Sequence, residues 1–235
     1  MRLDSLQRLN AARRQRLAAV LVTDLEGHEE HVVLEGDPFE GPFADLVESA
    51  FSSGRSMAFD GAEGKGFLNV YLPPPRIAII GAVHISQCLT PMARIAGFDA
   101  RIIDPRAAFA TTDRFPDVAL HIDWPADALV ADPLDRYTAL VVLTHDPKID
   151  DFPLAEAVRA GCFYIGALGS RKTHAARIAR LTTDGVAPVS LAAIHAPIGL
   201  NIGATNPAEI AVAILAEIIQ AMRLRSPVLK GHGAP

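Results

Sequence analysis

The segment Arg-Ile-Ala-Ile-Ile-Gly-Ala-Val-His, residues 76–84, has the pattern of a buried strand, a tight turn and the start of a helix. Its apolar run, residues 77–80, is typical of a strand covered on both faces of a parallel sheet. Gly81 then occupies the first position of the dinucleotide-binding fingerprint, where glycine permits a tight turn. The segment therefore predicts the opening unit of a doubly wound α/β domain.

Beyond this segment, apolar runs of strand length alternate with helical segments. Strands are predicted at 77–80, 100–103, 118–122, 140–143 and 162–165, and helices at 84–96, 152–160, 171–181 and 207–224. This alternation predicts a Rossmann-like parallel sheet with helices on both faces. The last helix has clear start signals, with Asn206 as N-cap, Pro207 in first position and Glu209 as a capping-box carboxylate. Its apolar body predicts burial against the sheet or at an oligomer interface.

The region before residue 73 has another pattern and is predicted to be a small α+β domain. Helices are expected at 3–16 and 42–53, and strands at 17–23, 31–34, 57–59 and 67–71, the last two separated by a turn at Gly61, Gly64 and Gly66. The three prolines at 73–75 fit neither a helix nor a central strand, so they predict a stiff linker. The predicted domains are 1–72 and 76–235, joined by the linker 73–75.

Composition excludes several classes of function. The net charge of −5 and pI near 5.9 argue against binding to nucleic acid or an anionic membrane. No apolar window approaches the ~18 residues of a membrane span, and the N terminus lacks the apolar core of a signal peptide. Cys88 and Cys162 lack metal-ligand spacing and are expected to be buried and inert. Two cysteines are too few for a disulfide scaffold, so a reduced, cytoplasmic setting is expected. Because hydrolase, zincin, Walker A and CxxC motifs are absent, no catalytic or metal-ligating residue is predicted.

The first candidate site is the turn formed by Gly81, Ala82, Val83 and His84. Val83 and Ser86 replace the second and third glycines of the fingerprint, so a side chain stands where a pyrophosphate would approach. Asp104 supports a nucleotide-like ligand because it follows Gly81 by 104 − 81 = 23 residues, close to the ~20 expected of an acidic group on a ribose. Arg106 either pairs with Asp104 or meets a ligand phosphate. A bare structural turn remains the alternative.

A second candidate site follows the predicted strand 140–143, in the run Thr144-His-Asp-Pro147. In open α/β sheets, ligands bind beyond the carboxyl ends of the strands. His145 is a candidate acid/base group or hydrogen-bond partner of a heterocycle, with Asp146 beside it. The alternative is that His145 caps the next helix.

The densest signal is the run Tyr164-Ile-Gly-Ala-Leu-Gly-Ser-Arg-Lys172, which predicts a strand, two glycines (Gly166 and Gly169), an N-cap (Ser170) and a helix. Arg171 and Lys172 in the first helical turn oppose the helix dipole unless an anion lies over the free amides. They therefore indicate a phosphate or carboxylate partner, with a solvated pair as the alternative. The loop 195–204 is predicted to form a wall or lid of the site.

Taken together, these motifs resemble the XdhC/CoxI family of accessory proteins of xanthine dehydrogenase and carbon monoxide dehydrogenase. The resemblance extends from about residue 77 to residue 217 and rests on Gly81-Ala-Val-His84, Asp104-Pro-Arg106, Arg114-Phe-Pro116, Thr144-His-Asp-Pro147, residues 164–171, Pro197-Ile-Gly-Leu-Asn-Ile-Gly-Ala204 and Pro207-Ala-Glu-Ile-Ala211. Two departures matter. The family usually has glycine where this chain has Val83, and the Cys-containing motif of the full N-terminal domain is missing before Pro73.

The resemblance implies a chaperone, more than an enzyme, with a Rossmann-like domain, a smaller N-terminal domain and often a homodimeric assembly. It implies transient binding of the molybdenum cofactor over Gly81, Ala82 and His84, with Asp104 on a polar edge, His145 nearby and Arg171 or Lys172 on the phosphate. A cysteine desulfurase would support sulfuration of the cofactor, which then passes to an apo molybdenum hydroxylase of the xanthine dehydrogenase type. Two alternatives stay open: an NAD(P)-binding Rossmann oxidoreductase, and a protein that docks on a dehydrogenase without binding a ligand.

Overall fold

The chain was studied as a computed structural model, which describes residues 1–41, 43–61 and 64–224. The described residues form two compact units, Met1–Pro73 and Pro74–Leu224. The division into domains at a linker 73–75 stays a prediction. The predicted start of the second helix, Pro42, lies outside the described residues. So do residues 225–235, the end of the predicted domain 76–235.

The first unit is an antiparallel sheet with helices on both faces. Its elements are α1 (Leu3–Arg14), β1 (Ala19–Asp24), β2 (Glu30–Leu34), α2 (Ala44–Ser53), β3 (Met57–Gly61) and β4 (Gly64–Tyr71), and the strand order is β2-β1-β4-β3. One cluster of buried side chains includes Val22, Val47 and Leu68, and a second includes Leu9 and Leu21. The predicted α+β character is therefore confirmed.

The predicted turn at Gly61, Gly64 and Gly66 is wrong, because these glycines belong to β3 and β4. Gly66 allows a close approach between neighbouring strands. A Cβ at this position would lie 2.3 Å from both the Phe59 ring and the carbonyl oxygen of Thr23. Glycine inside a strand here marks close packing rather than a turn.

The second unit is a parallel sheet between helices, as predicted. Its elements are β5 (Arg76–Ile80), α3 (His84–Ile95), β6 (Asp99–Ile103), β7 (Ala119–His121), α4 (Pro125–Ala131), β8 (Thr138–Val142), α5 (Pro147–Arg159), β9 (Tyr164–Ala167), α6 (Arg171–Thr183), α7 (Pro188–Leu191), β10 (Ile194–His195) and α8 (Pro207–Leu224). The strand order is β10-β9-β8-β5-β6-β7, with parallel pairing throughout. Strands β5 and β8 are completely buried.

Helix α8 packs on α3 and against the sheet, the first of its two predicted locations. Ala211, Ile214 and Ile218 are buried in the cluster that also contains residues of α3, β5, β8 and β9. Asn206 Oδ1 accepts a hydrogen bond from the Glu209 amide at 2.9 Å, and the Glu209 carboxylate accepts one from the Thr205 amide at 2.7 Å. The predicted N-terminal cap is confirmed, with the Glu209 contact shifted by one residue.

Several predicted boundaries need correction. Helix α5 begins at Pro147 rather than at residue 152, because Asp146 caps it by accepting from the Lys148 amide at 3.0 Å. Strand β9 lies two residues further along than predicted, and α4, α7 and β10 were not predicted. Within the described part of the chain, every helix is too short or too polar to cross a membrane.

Candidate functional site

The candidate site lies at the carboxyl edge of the sheet in the second unit. The chain order reverses at β5, because β6 lies on one side of it and β8 on the other. Such a switch point leaves a crevice beyond the strand ends. The loops after β5, β8 and β9 reach this edge, and each carries a residue with positive φ: Gly81 at +117°, His145 at +66° and Gly169 at +139°.

These three loops are packed side by side. A Cβ on Gly81 would lie 2.8 Å from Cγ2 of Thr144, so the first loop fits against the second only without a side chain. A Cβ on Gly169 would lie 3.9 Å from Nδ1 of His145, so the third loop adjoins the second. The structure therefore brings the predicted residues of three separate motifs together at one edge.

Asp104 holds the first loop in place. It is completely buried, and its carboxylate accepts hydrogen bonds from the Ala82 amide at 2.8 Å and from Nε and Nη2 of Arg106 at 2.9 and 2.7 Å. Burial alone would raise the pKa of Asp104, but Arg106 and the Ala82 amide outweigh it and hold the pKa below its ordinary value. Of the two predicted partners of Arg106, the structure places Asp104 against it. The carboxylate oxygens are thus engaged within the protein.

The residues that replace the fingerprint glycines also stabilise this turn. The Ser86 hydroxyl is buried and donates to the carbonyl oxygen of Gly81, while it accepts from the Val83 amide at 3.4 Å. Val83 is half-buried and packs against the core next to α3. Arg114 donates to the Ala82 carbonyl at 3.1 Å, a role that its motif did not reveal from sequence. His84, at the start of α3, is exposed.

In the second loop, Asp146 rather than His145 caps the following helix. Its carboxylate accepts from the Lys148 amide, and its own amide donates to Thr144 Oγ1 at 3.2 Å. His145 is exposed and does not cap the helix. The Thr144 hydroxyl in turn donates to Asp150, which lies beneath the loop.

A buried ion pair lies below the second and third loops. Asp150 and Arg177 are each 2% exposed, and Nη2 of Arg177 lies 3.9 Å from Oδ2 of Asp150 and donates to the Leu168 carbonyl at 3.1 Å. Burial raises the pKa of Asp150 to about 6 and lowers the pKa of Arg177. The Nε and Nη1 atoms of Arg177 and Nδ1 of His174 are buried without a hydrogen-bond partner in the described structure. Unsatisfied buried donors of this kind are rare in native proteins.

The third loop leads into α6 as predicted. Ser170 is the N-cap and its hydroxyl accepts from the Thr173 amide at 3.2 Å. Arg171 and Lys172 are exposed, and among the described residues neither forms an ion pair, so both cations are available to an anion over the first turn. Gly166 has a packing role: a Cβ there would lie 2.6 Å from both Ile198 and the Tyr164 hydroxyl.

One group was missed from sequence, namely Glu217 with its partners Tyr164 and His195. Glu217 accepts from the Tyr164 hydroxyl at 2.6 Å and pairs with Nδ1 of His195 at 2.9 Å. The sequence predicted only that 195–204 is a wall or lid. The available signal was a single carboxylate within the apolar body of α8, since such a group needs partners when buried.

The donor set at this edge suits an anionic ligand rather than a metal ion. Helices α3, α5 and α6 begin at this edge, so the amides of their first turns lie there. The exposed cations Arg171 and Lys172 lie on α6. Among the described residues, the buried donors Nε and Nη1 of Arg177 have no acceptor. In the described ranges, no group of three His, Cys, Asp or Glu side chains is arranged to hold a metal. A phosphate-bearing cofactor therefore fits the residues present.

Comparison with known proteins agrees with this architecture. A probable xanthine dehydrogenase subunit from Bacillus subtilis (strain 168) is 34% identical over 155 residues, which are 66% of this chain and 45% of that protein. PaoD, a molybdenum cofactor insertion chaperone from Escherichia coli (strain K12), is 29% identical over 65% of this chain and 42% of its own length. The uncharacterised protein YqeB from the same organism is 30% identical over 70% of this chain and 32% of its own length.

The chain thus spans less than half the length of these curated relatives. A crystal structure described as a xanthine dehydrogenase from Bacillus halodurans superposes with a TM-score of 0.66 at 25% identity, covering 96% of this chain and 70% of that one. The family model described as the XdhC Rossmann domain matches residues 77–218. The chain therefore belongs to the XdhC family, through the Rossmann domain that carries the candidate site.

Proposed function

We propose that this protein binds the molybdenum cofactor at the carboxyl edge of its parallel sheet and delivers it to a molybdenum hydroxylase. It acts as a chaperone and not as an enzyme. The observation that carries the proposal is the convergence of three strand-end loops above a buried arginine with unsatisfied donors. Membership of the XdhC family and similarity to PaoD support the choice of ligand.

The protein's residues would hold the cofactor in a definite way. Arg171 and Lys172 lie at the first turn of α6 and attract the phosphate, while the free amides of that turn donate to its oxygens. Each loop contributes residues to the proposed cofactor site. They are Gly81, Ala82 and His84 from the first loop, His145 and Asp146 from the second, and Gly169 and Ser170 from the third. Asp104 and Arg106 keep the first loop rigid through their paired hydrogen bonds.

The finer details of maturation follow from the same proposal. A cysteine desulfurase would supply the sulfur for sulfuration of the held cofactor, which would then pass to a xanthine dehydrogenase-type apoenzyme in the cytoplasm. The protein works as a homodimer.

The nicotinamide alternative receives less support from the geometry. Asp104 is the residue expected to bind a ribose, yet its oxygens already accept from Ala82 and Arg106 and it is inaccessible to solvent. Ser86 occupies the third fingerprint position and closes the turn through Gly81. We therefore expect NADH and NADPH to bind weakly or not at all.

The test is a binding assay with the full chain. The protein is incubated with molybdenum cofactor, separated from free ligand and assayed for retained pterin by fluorescence after oxidation. We expect saturable retention of about one cofactor per chain. The paired variant Arg171→Ala, Lys172→Ala is expected to weaken retention by roughly 1.5–3 kcal/mol per lost charged hydrogen bond.

Arg159→Ala is the matched control, because Arg159 is an exposed helical arginine that pairs with Glu156 on its own helix. It should retain cofactor like the natural chain. Absence of pterin retention together with tight NAD(P)H binding would refute the proposal. Equal retention by the paired variant and the control would show that Arg171 and Lys172 do not bind the cofactor.

A further inference from the structure

A second cluster of titratable side chains lies at the edge strand β10. The Glu217 carboxylate accepts from the Tyr164 hydroxyl at 2.6 Å and from the Gly199 amide at 2.7 Å through Oε2. Its Oε1 pairs with Nδ1 of His195 at 2.9 Å. The Glu217 side chain is 13% exposed, whereas the His195 side chain is 44% exposed. The carboxylate is therefore enclosed while the imidazole reaches solvent.

This network determines which nitrogen of His195 is free. Burial alone would raise the pKa of Glu217, but hydrogen bonds from His195, Tyr164 and Gly199 hold it below the ordinary value, so the carboxylate is ionised. An ionised carboxylate only accepts hydrogen bonds, so Nδ1 of His195 carries the proton. In the neutral imidazole, Nε2 is then an acceptor with one fixed orientation.

The cluster is located at the same sheet edge as the candidate site. His195 ends β10 and is paired in register with Gly166, one residue before the end of β9, and β9 leads into the third loop. The His195 and Tyr164 rings stack with their centroids 5.0 Å apart. Gly166 makes room for this arrangement, because a Cβ there would lie 2.6 Å from the Tyr164 hydroxyl. Three elements, β9, β10 and α8, thus orient one exposed imidazole.

We propose that Nε2 of His195 accepts a hydrogen bond from a ring N–H of the ligand and so contributes to its selection. The ligand class is the 2-amino-4-oxopyrimidine ring shared by pterins and guanine, whose lactam nitrogen is a donor. The choice of this class rests on the proposed function, while the orientation of the imidazole rests on its contacts with Glu217 and Tyr164. A purely structural contact between β10 and α8 needs only Nδ1 and gives no role to Nε2.

Titration of the full chain with a fluorescent pterin and with GMP tests this inference. His195→Gln should weaken binding by roughly tenfold, because the oriented acceptor Nε2 is lost. His121→Gln is the control, because His121 lies at the end of the other edge strand, β7. It should match the natural chain.

Nitrogen-15 NMR of the natural chain provides a measurement that needs no variant. The Nε2 resonance of His195 should move when ligand is added. Tighter binding of pterin than of GMP identifies a pterin ligand, and the reverse order identifies a guanine ligand. Ligand binding that leaves both the Nε2 resonance and the His195→Gln affinity unchanged overturns this inference but not the proposed function. Binding of neither ligand overturns both.

Discussion

At the scale of single residues, the site depends on a few positions where neighbouring atoms leave no room for a larger residue. Gly81 combines φ of +117° with a Cβ position only 2.8 Å from Thr144. Gly81→Ala should therefore destabilise the second unit by about 2–3 kcal/mol, through backbone strain and the clash together. Urea unfolding followed by circular dichroism measures the loss.

Gly97→Ala separates these two causes. Gly97 also has a positive φ, +84°, but nothing lies within 4 Å of its Cβ position. Its replacement should cost about 1 kcal/mol, from backbone strain alone. Equal losses at the two positions would mean that the contact between the first and second loops is not tight.

Asp150 gives a prediction about pH. Burial raises its pKa to about 6, so the folded state binds the proton more tightly than the unfolded state does. The resulting stabilisation is fully present at low pH and is lost as pH rises through the folded value. Between about pH 4 and about pH 8 this one group should reduce the free energy of unfolding by on the order of 2–3 kcal/mol.

Unfolding curves across this pH range compare the natural chain with Asp150→Asn. The variant has no titrating carboxyl group at this position, so its stability should change less with pH. Asp127→Asn, at an exposed position in the first turn of α4, should keep the natural slope. The same slope for Asp150→Asn and the natural chain would contradict the raised pKa.

At the scale of elements, Asp132 forms ion pairs with one arginine of β5, Arg76, and one of β6, Arg101. Nη1 of Arg76 donates to Asp132 at 2.8 Å, and Arg101 donates to both the carboxylate and, at 2.9 Å, the carbonyl of Asp132. The two arginine side chains are only 8% and 7% exposed. Asp132→Ala should cost about 3 kcal/mol, because it leaves two buried cations with fewer acceptors.

Arg94→Ala is the control for this network. Arg94, on helix α3, pairs with Asp117 at 3.3 Å, but both side chains are mostly exposed. Its loss should change the free energy of unfolding by less than about 0.5 kcal/mol. If the effect of Asp132→Ala is as small as that of the control, water must replace the hydrogen bonds that the two arginines lose.

Sequence patterns predicted the long elements but not the short ones. Strands such as β5 and β8 were found because their apolar runs are uninterrupted, and α8 because its cap residues are adjacent in the chain. Strand β10 has two residues and α4 has seven, too few for a period to emerge. The start of α5 was misplaced although Asp146 and Pro147 form a valid helix start, because the following aspartates resembled a loop.

The candidate site was predicted in part for a similar reason. Gly81, His145 and Gly169 directly follow strands, so the topology of parallel strands alone brings them to one edge. The burial of Asp150 with Arg177, and the contact of Glu217 with His195, join residues 27 and 22 positions apart. No local periodicity specifies such contacts, which become visible only when the helices are packed.

At the scale of the whole molecule, each unit has its own hydrophobic core and its own sheet. The Pro74–Leu224 unit contains every residue of the proposed cofactor site, and the Met1–Pro73 unit contains none. A fragment of residues 74–235 should therefore fold cooperatively and bind pterin with the affinity of the full chain, since a domain with a complete core folds alone. Circular dichroism and pterin titration of the fragment and the full chain give the comparison.

The complementary fragment of residues 1–73 is the control for this prediction. It has a small core between β1, β4 and the two helices, and it should bind no pterin. If the fragment 74–235 is folded but binds at least tenfold more weakly than the full chain, the first unit must contribute to the site or to its assembly. If it does not fold, the two units form one cooperative structure, and the predicted boundary at the three prolines is wrong.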